Sequence, residues 1–449
     1  LAVMTVQLNA QDLAHYKKIV KELSSAKYQG RGYAEDGANK AGKWIAKEFA
    51  KVGADEVTCQ PFKLNINTFP GKMDVRVDGK KLTPGVDFTL REFNPGLKGE
   101  FKLYYVDMEN FDEEKMLADL ATPEYQGAMV VCDFMFTYKH TQAFRKLASK
   151  KECSNAGMVY TWEEPLKFYK AYGEVVREKP ILWVKPDFPK NAKTIKVNME
   201  NKFLQDYECF NVIAKVEGNR HDSCYVFTAH YDHLGKLGKK TFYPGAHDNA
   251  SGTAALMVLA KKFQQLPVKP RRSIVFLAVT SEECGLLGSE GYCENPLFPL
   301  SKTAANLNFD GTAPAMRTTG VTLRAAGKTD MDALVLAAAA AQGRSVRVVT
   351  EDPAGGFFRS DHFNFVKKGV PTVLCGGGGE VIDKARQAAK PKRYTYHQPN
   401  DEYREEEWDF DGAMENLNLM FSIGLMIANQ DEMPKWAKDA DFQRQPDKK

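Results

Sequence analysis

Five separated segments of this 449-residue chain each supply an imidazole or a carboxylate of the kind that binds a divalent metal ion. They are His230-Tyr231-Asp232, His247-Asp248-Asn249-Ala250-Ser251-Gly252, Glu282-Glu283, Asp310 and His397. Nitrogen and oxygen donors without a thiolate suit zinc or another borderline cation, with positions left open for water and substrate. Taken singly, each has an ordinary explanation: a hydrogen-bonded histidine at a strand end, or a solvated acidic turn. As a set they do not. Glu282-Glu283 follows Ser-Ile-Val-Phe-Leu-Ala-Val-Thr with only Ser281 between, so one carboxylate points back toward a buried sheet edge. An unpaired charge there costs several kcal/mol unless something cationic compensates it. Lysine or arginine could do so, but no basic residue lies within any of the five segments, which favours a pair of metal ions and the chemistry of a hydrolase.

Most of these segments sit where an apolar run ends. Residues 224–229 read as a buried strand that delivers His230, residues 273–280 as one that delivers Glu282-Glu283, and residues 304–309 as a weaker one that delivers Asp310. In an open α/β sheet the carboxyl ends of the strands are where reactive groups converge. Helices are expected over 253–263, over 330–342 closed by Gly343, and over 411–429 as the long closing helix, with further strands over 346–349 and 371–375. The run Gly376 to Gly379 lacks the Gly-Lys-Ser/Thr ending of a phosphate loop and reads as a flexible loop rimming the site. At the start, Leu13, Tyr16, Val20 and Leu23 share one helical face after Asp12, and 39–52 repeats the pattern with Gly53 as its stop. Between these halves the texture changes. Met73, Val75 and Val77 alternate with polar residues and meet Asp78-Gly79, a hairpin signal, and short strands follow to Met199.

The length exceeds one average domain. A net charge of +4 on this length supports no nucleic-acid or membrane-surface partner. No window approaches the roughly 18 apolar residues of a membrane span. The apolar start, reaching Ala10-Gln11 without an initiator Met, reads as the remnant of a secretory signal peptide, which implies an exported, periplasmic or extracellular protein. Eight scattered cysteines without a Cys-x-x-Cys pair are neither a disulfide framework nor a thiolate zinc site, and Cys284 reads as a packing residue.

The runs Thr228-Ala229-His230-Tyr231-Asp232-His233-Leu234-Gly235 and Gly245 through Ala255, with Ser281-Glu282-Glu283-Cys284-Gly285, Asn308-Phe309-Asp310, Arg359-Ser360-Asp361-His362 and Tyr396-His397, resemble the co-catalytic di-zinc exopeptidases (metallopeptidase family 28). The likeness is close from about residue 205 onward and loose over 12–60. It implies an α/β, three-layer fold with a mixed, mostly parallel central sheet. It also implies a division into a signal remnant (1–10), a first peptidase part (11–66), an inserted β-rich domain resembling the protease-associated domain (67–200) and the main catalytic part (201–449). Two zinc ions per chain are expected, with Asp248 bridging them, His230 and Asp310 completing one, and Glu283 and His397 the other. Glu282 is then left over as general base, and Asp232 as the acceptor that fixes the tautomer of His230. Tyr396 resembles the family tyrosine that hydrogen-bonds the oxyanion, Phe357 and Phe358 would wall the side-chain pocket, and His233 reads as structural. Two departures from the family pattern are His247 before the bridging Asp and Gly311-Thr312 after Asp310.

The expected substrates are peptides, cleaved most plausibly from the amino end. The alternative is a glutamate-type carboxypeptidase or dipeptidase, for which Arg359, Arg386 or the 390–393 run would clamp a terminal carboxylate. Glutaminyl cyclases and non-catalytic receptor-like members are remoter alternatives, since the first lose the Asn-Ala-Ser-Gly turn and the second lose metal ligands. Nothing in the sequence sets the oligomeric state.

Overall fold

A computed structural model describes residues 7–162, 166, 173–324, 327–350, 355–390 and 395–445. The expected signal remnant lies partly outside this range, at residues 1–6. Its last residue, Ala10, opens the first helix, Ala10–Leu23. That helix starts three residues earlier than the pattern after Asp12 suggests, because Asn9 and Asp12 form a reciprocal capping box. The second helix, Gly37–Lys51, buries Ala41, Ile45 and Phe49, and Gly53 follows with a φ of +87°.

The half of the chain outside the insert is built on a five-stranded sheet in the order Glu56–Thr68, Lys202–Val216, Arg272–Val279, Arg220–His230, Thr303–Asn308. The last three are mutually parallel, whereas the first two pair antiparallel with each other and, through Lys202–Val216, with Arg272–Val279. The expectation of a mostly parallel sheet is corrected: parallel and antiparallel pairings are equal in number here, since the unexpected pair Glu56–Thr68 and Lys202–Val216 adds two antiparallel ladders. Parallel strands covered on both faces require continuous apolar runs, and Arg272–Val279 is buried at every position. Helices Gly252–Gln264 and Asp411–Asn429 share one core with the first two helices, in which Phe227 stacks on Phe276 and Phe309. A second sheet joins Ser345–Val349, Thr318–Arg324 and Leu374–Val381. The glycines 376–379 lie inside that last strand rather than in a loop, because Gly376, Gly377 and Gly378 pair with Thr322, Val321 and Gly320.

Thr68 pairs with Lys202, so the long ribbon Glu56–Thr68/Lys202–Val216 leads into and out of the inserted unit. The Asp78-Gly79 hairpin forms as expected, with φ of 45° and 81°. The insert is not purely β. Its eight-stranded sheet contains the parallel run Leu97–Tyr105, Met129–Asp133, Gly157–Thr161, Ile181–Val184, crossed by helices such as Glu113–Ala121 and Thr141–Ala148. One face of the sheet packs on Leu234, Leu237 and Tyr243, the segment just after the His230 strand, which ties insert and site together. All eight cysteines are free thiols, and Cys284 is buried with its Sγ donating to the Tyr33 hydroxyl at 3.3 Å. No helix among the described residues is long and apolar enough to cross a membrane.

Candidate metal centre

The parallel strands end at the same edge of the sheet, and their C-terminal residues and following turns bring the five segments together. His230 is the last residue of its strand, Glu282 and Glu283 follow Arg272–Val279 by a short turn, and Asp310 follows Thr303–Asn308. Two groups of donors result: His233, Asp248, Glu283 and His397, and beside them His230, Glu282 and Asp310. Asp248 faces both ways. Its Oδ1 lies 3.3 Å from His230 Nε2 and its Oδ2 lies 3.2 Å from His397 Nε2. His230 Nε2 is also 3.5 Å from Asp310, and His397 Nε2 is 3.2 Å from Glu283. Donors held about 2.0–2.2 Å from a tetrahedral zinc stand roughly 3.3 Å from one another. The spacing therefore fits a pair of zinc ions sharing Asp248, and so does the thiolate-free donor set.

Charge gives a second test of that fit. Burial alone would push every carboxyl here up and every imidazole down. Burial opposes the shift of Asp248, but His230 and His397 outweigh it and hold the carboxyl well below its usual range. Against the same opposition His397 holds Glu283 down at about 2, while Glu283 and Asp248 lift His397 to about 10. His230 is raised well above its ordinary value, against burial, by Glu282, Asp248 and Asp310. The carboxylates thus draw protons onto both imidazoles, which is what a buried anionic cluster does when it needs cations. Glu282 goes the other way: burial, joined by Glu283 and Asp310, lifts it well above the carboxylate range.

Sequence reasoning placed Asp232 beside His230 as acceptor of the ring N–H. The carboxylate is 3.8 Å from Nδ1, too long for that bond, and the nearer acceptor is the carbonyl of Asp232 itself at 3.3 Å. The Asp232 carboxylate instead accepts the backbone N–H groups of Glu282 and Glu283 at 3.2 and 3.3 Å and the Tyr33 hydroxyl at 3.3 Å. It fixes the Glu pair. Burial raises it to about 6. His233, read from sequence as structural, is fully buried with Nδ1 2.8 Å from Glu283, inside the donor group.

Arg31 escaped the sequence reading. It is fully buried, and its guanidinium donates to the carbonyls of Tyr231, Leu23, Pro244, Gly245 and Asp248. One side chain thereby ties the first helix to the segments on either side of the site. Asp401 supports the same loop from the opposite side, accepting from the backbone N–H of His247 and Asp248 at 2.9 and 3.1 Å. The Asn-Ala-Ser-Gly turn is likewise a cross-link: Asn249 donates to the Phe309 carbonyl and accepts from the N–H of Gly311 and of Gly252. A side chain at Gly252 would meet Asn249 Oδ1 at 2.2 Å and the Phe309 carbonyl at 2.7 Å, so the close approach requires glycine. The backbone around the site is held in uncommon conformations, with positive φ at Arg31, Ser281 and His397 (49°, 61° and 57°).

The two departures from the family pattern turn out to be neighbours. Gly311 has a φ of +70°, and a Cβ there would lie 2.7 Å from the His247 ring, whose Nδ1 is 2.9 Å from the Ala313 carbonyl. The missing apolar side chain makes room for the extra imidazole.

The substrate-side residues line a cleft of about 610 Å³ over Glu282, Glu283 and His397. Phe358, Arg359 and Tyr396 all border it, and Tyr396 stacks on His397 with ring centroids 3.7 Å apart. Phe357 does not, being packed with Val366 and Trp436. Arg386 is engaged by Asp409 and Asp411, and Lys390 by the Trp408 carbonyl, so neither borders the cleft. Residues 391–394, including Arg393, lie outside the described residues.

The sequence pattern of Peptidase family M28 matches residues 211–422. A leucine aminopeptidase 2 from Arthroderma otae is 30% identical over 209 residues, which is 43% of this chain and 39% of that protein. The match thus spans about two fifths of the curated relative. Among solved structures, an aminopeptidase from Aneurinibacillus sp. strain AM-1 superposes with a TM-score of 0.63 over 99% of both chains at 18% identity. A zinc aminopeptidase from Bacillus subtilis superposes with a TM-score of 0.66 over 96% of this chain and 97% of its own, also at 18% identity. These two likenesses speak to fold.

Proposed function

We propose that the protein is a zinc-dependent exopeptidase that releases residues from the amino end of peptides, a reading supported by the match of residues 211–422 to the sequence pattern of Peptidase family M28. The observation that carries this reading is Asp248, one oxygen turned to each of two imidazoles, each of which faces a further carboxylate. In this reading Asp248 would be shared between two zinc ions, which His230 and Asp310 on one side and Glu283 and His397 on the other would help to hold. When bound, such a pair supplies Lewis acidity that polarises the scissile carbonyl and acidifies water.

The chain's own residues do the rest. Glu282 takes the proton from the attacking water and delivers it to the departing amine, a role that its raised proton affinity suits. Asp232, through the backbone N–H groups of Glu282 and Glu283, holds both carboxyls in place. The Tyr396 hydroxyl, its ring stacked on His397 at the edge of the cleft, can donate to the tetrahedral oxyanion. A free ammonium at the substrate's amino end finds acceptors in Glu282 and Asp310. Arg359 leaves the carboxypeptidase reading as the second possibility, because among the described residues it is the one proposed carboxylate clamp that borders the cleft.

The two readings separate on blocked substrates. N-acetylation of a cleaved peptide abolishes turnover by an aminopeptidase, whereas amidation of its C-terminus changes little. The opposite pattern would move the assignment to a carboxypeptidase.

A further inference from the structure

The inserted unit does more than sit beside the metal centre. It supplies one wall of the cleft above Glu282 and Glu283: Arg91, Phe134, Tyr138 and Trp162 come from the insert, and Phe358 and Arg359 face them from the catalytic half. Large apolar side chains are spread singly over most protein surfaces, and clusters of them mark binding sites. Here Tyr138 is 65% exposed and Phe358 52%, and both border the same cleft. The insert's wall is a packed surface. Phe134 meets Trp183, Tyr138 and Trp162 edge-on at 4.3, 4.9 and 5.4 Å, and the Asp133 carboxylate fixes the start of their helix by accepting the N–H groups of Met135 and Phe136. Arg91 lies over the Trp183 ring at 5.6 Å and is held by Glu92 at 3.2 Å, while Arg359 borders the cleft from the other side.

A second, smaller cavity of about 400 Å³ lies beside Asp310, lined by Met316, Cys375, Leu417 and Met420 among others. The donor cluster therefore stands between two spaces. If the amino-terminal residue enters on the side of Asp310, where its ammonium meets Glu282 and Asp310, the rest of the peptide extends into the cleft under the insert. A volume of about 610 Å³ falls within the range of sites that enclose small ligands, and so suits a short peptide.

We propose that the insert forms the roof of the substrate site, with Phe134, Tyr138 and Trp162 gripping the residue beyond the scissile bond, so that short peptides with a bulky aromatic second residue are preferred. This inference rests on the exopeptidase reading above.

The test compares two substrates that share a first residue, leucyl-phenylalanine and leucinamide, the second having nothing beyond the scissile bond. With the zinc-loaded full chain, Tyr138→Ala lowers the ratio of kcat/KM for the dipeptide to that for the amide about tenfold, the size of a single aromatic contact in a binding hot spot. The loss falls on KM, and Tyr138→Phe restores the ratio. A ratio unmoved by Tyr138→Ala overturns the roof proposal alone. Wild-type protein that cleaves neither substrate overturns the exopeptidase reading and this proposal together.

Discussion

Glu282 and Glu283 are chain neighbours with opposite surroundings. Glu283 is buried against His233 and His397 and is held down at about 2, whereas Glu282 is partly open to the cleft and is pushed up. The proposed roles follow that split and can be separated. Glu282→Gln should keep both metals while losing roughly 10²–10⁴-fold in kcat, the usual contribution of a general base. Glu283→Gln should weaken metal binding first, seen as a raised zinc requirement for activity. Emptying of the site by the first change and not the second would exchange the roles. These donors were legible in the sequence because chemistry restricts their types and strand ends restrict their places. Arg31 was not legible. A lone arginine between Gly30 and Gly32 carries no sign of the five carbonyls it meets, four of them some 200 positions away. Lysine offers three donors and no planar fork. Arg31→Lys should therefore leave buried carbonyls unsatisfied, costing on the order of 3 kcal/mol in urea unfolding and loosening the Asp248 loop.

At the scale of elements, the turn 245–252 and the turn after Asp310 act as one unit, stitched by Asn249 and by the packing of His247 over Gly311. Gly311→Ala combines a left-handed backbone with a clash against the imidazole, and should destabilise by about 2 kcal/mol. In a His247→Ala background the steric part disappears, so a double-mutant cycle should show coupling between the two positions, and strict additivity would contradict their contact. The helix after Arg359 carries a pH-sensitive element. His362 is buried with Nε2 2.7 Å from the Phe357 carbonyl, and burial lowers it to about 4. A depressed imidazole binds its proton better in the unfolded chain. Its stabilising contribution is therefore full above about pH 6.5 and is lost as pH falls toward 4. The difference in unfolding free energy between wild type and His362→Gln should shrink by about 2 kcal/mol from pH 7.5 to pH 5. Elements with a clean apolar period were readable from sequence, as the closing helix Asp411–Asn429 shows. The ribbon Glu56–Thr68/Lys202–Val216 was not, because Pro61 interrupts the first strand and the N-terminal half of each strand is largely unburied and mixes apolar with charged residues without a clean alternation. The insert's helices were missed for a related reason: buried parallel strands and short helices look alike as brief apolar runs.

Across the whole molecule the two halves meet over the donor cluster, the catalytic sheet placing its strand ends beneath and the insert packing on Leu234, Leu237 and Tyr243 close by. The cluster concentrates buried carboxylates around Asp248, with the imidazoles of His230 and His397 against it and Arg31 farther off. The central claim is that this deficit is met by two zinc ions sharing one carboxylate. Elemental analysis of the fully loaded, dialysed protein tests it most directly. The account predicts close to two zinc equivalents per chain, and loss of both in Asp248→Ala, because that side chain faces both histidines. One equivalent or none in the wild type, or a variant without Asp248 that retains two, would contradict it.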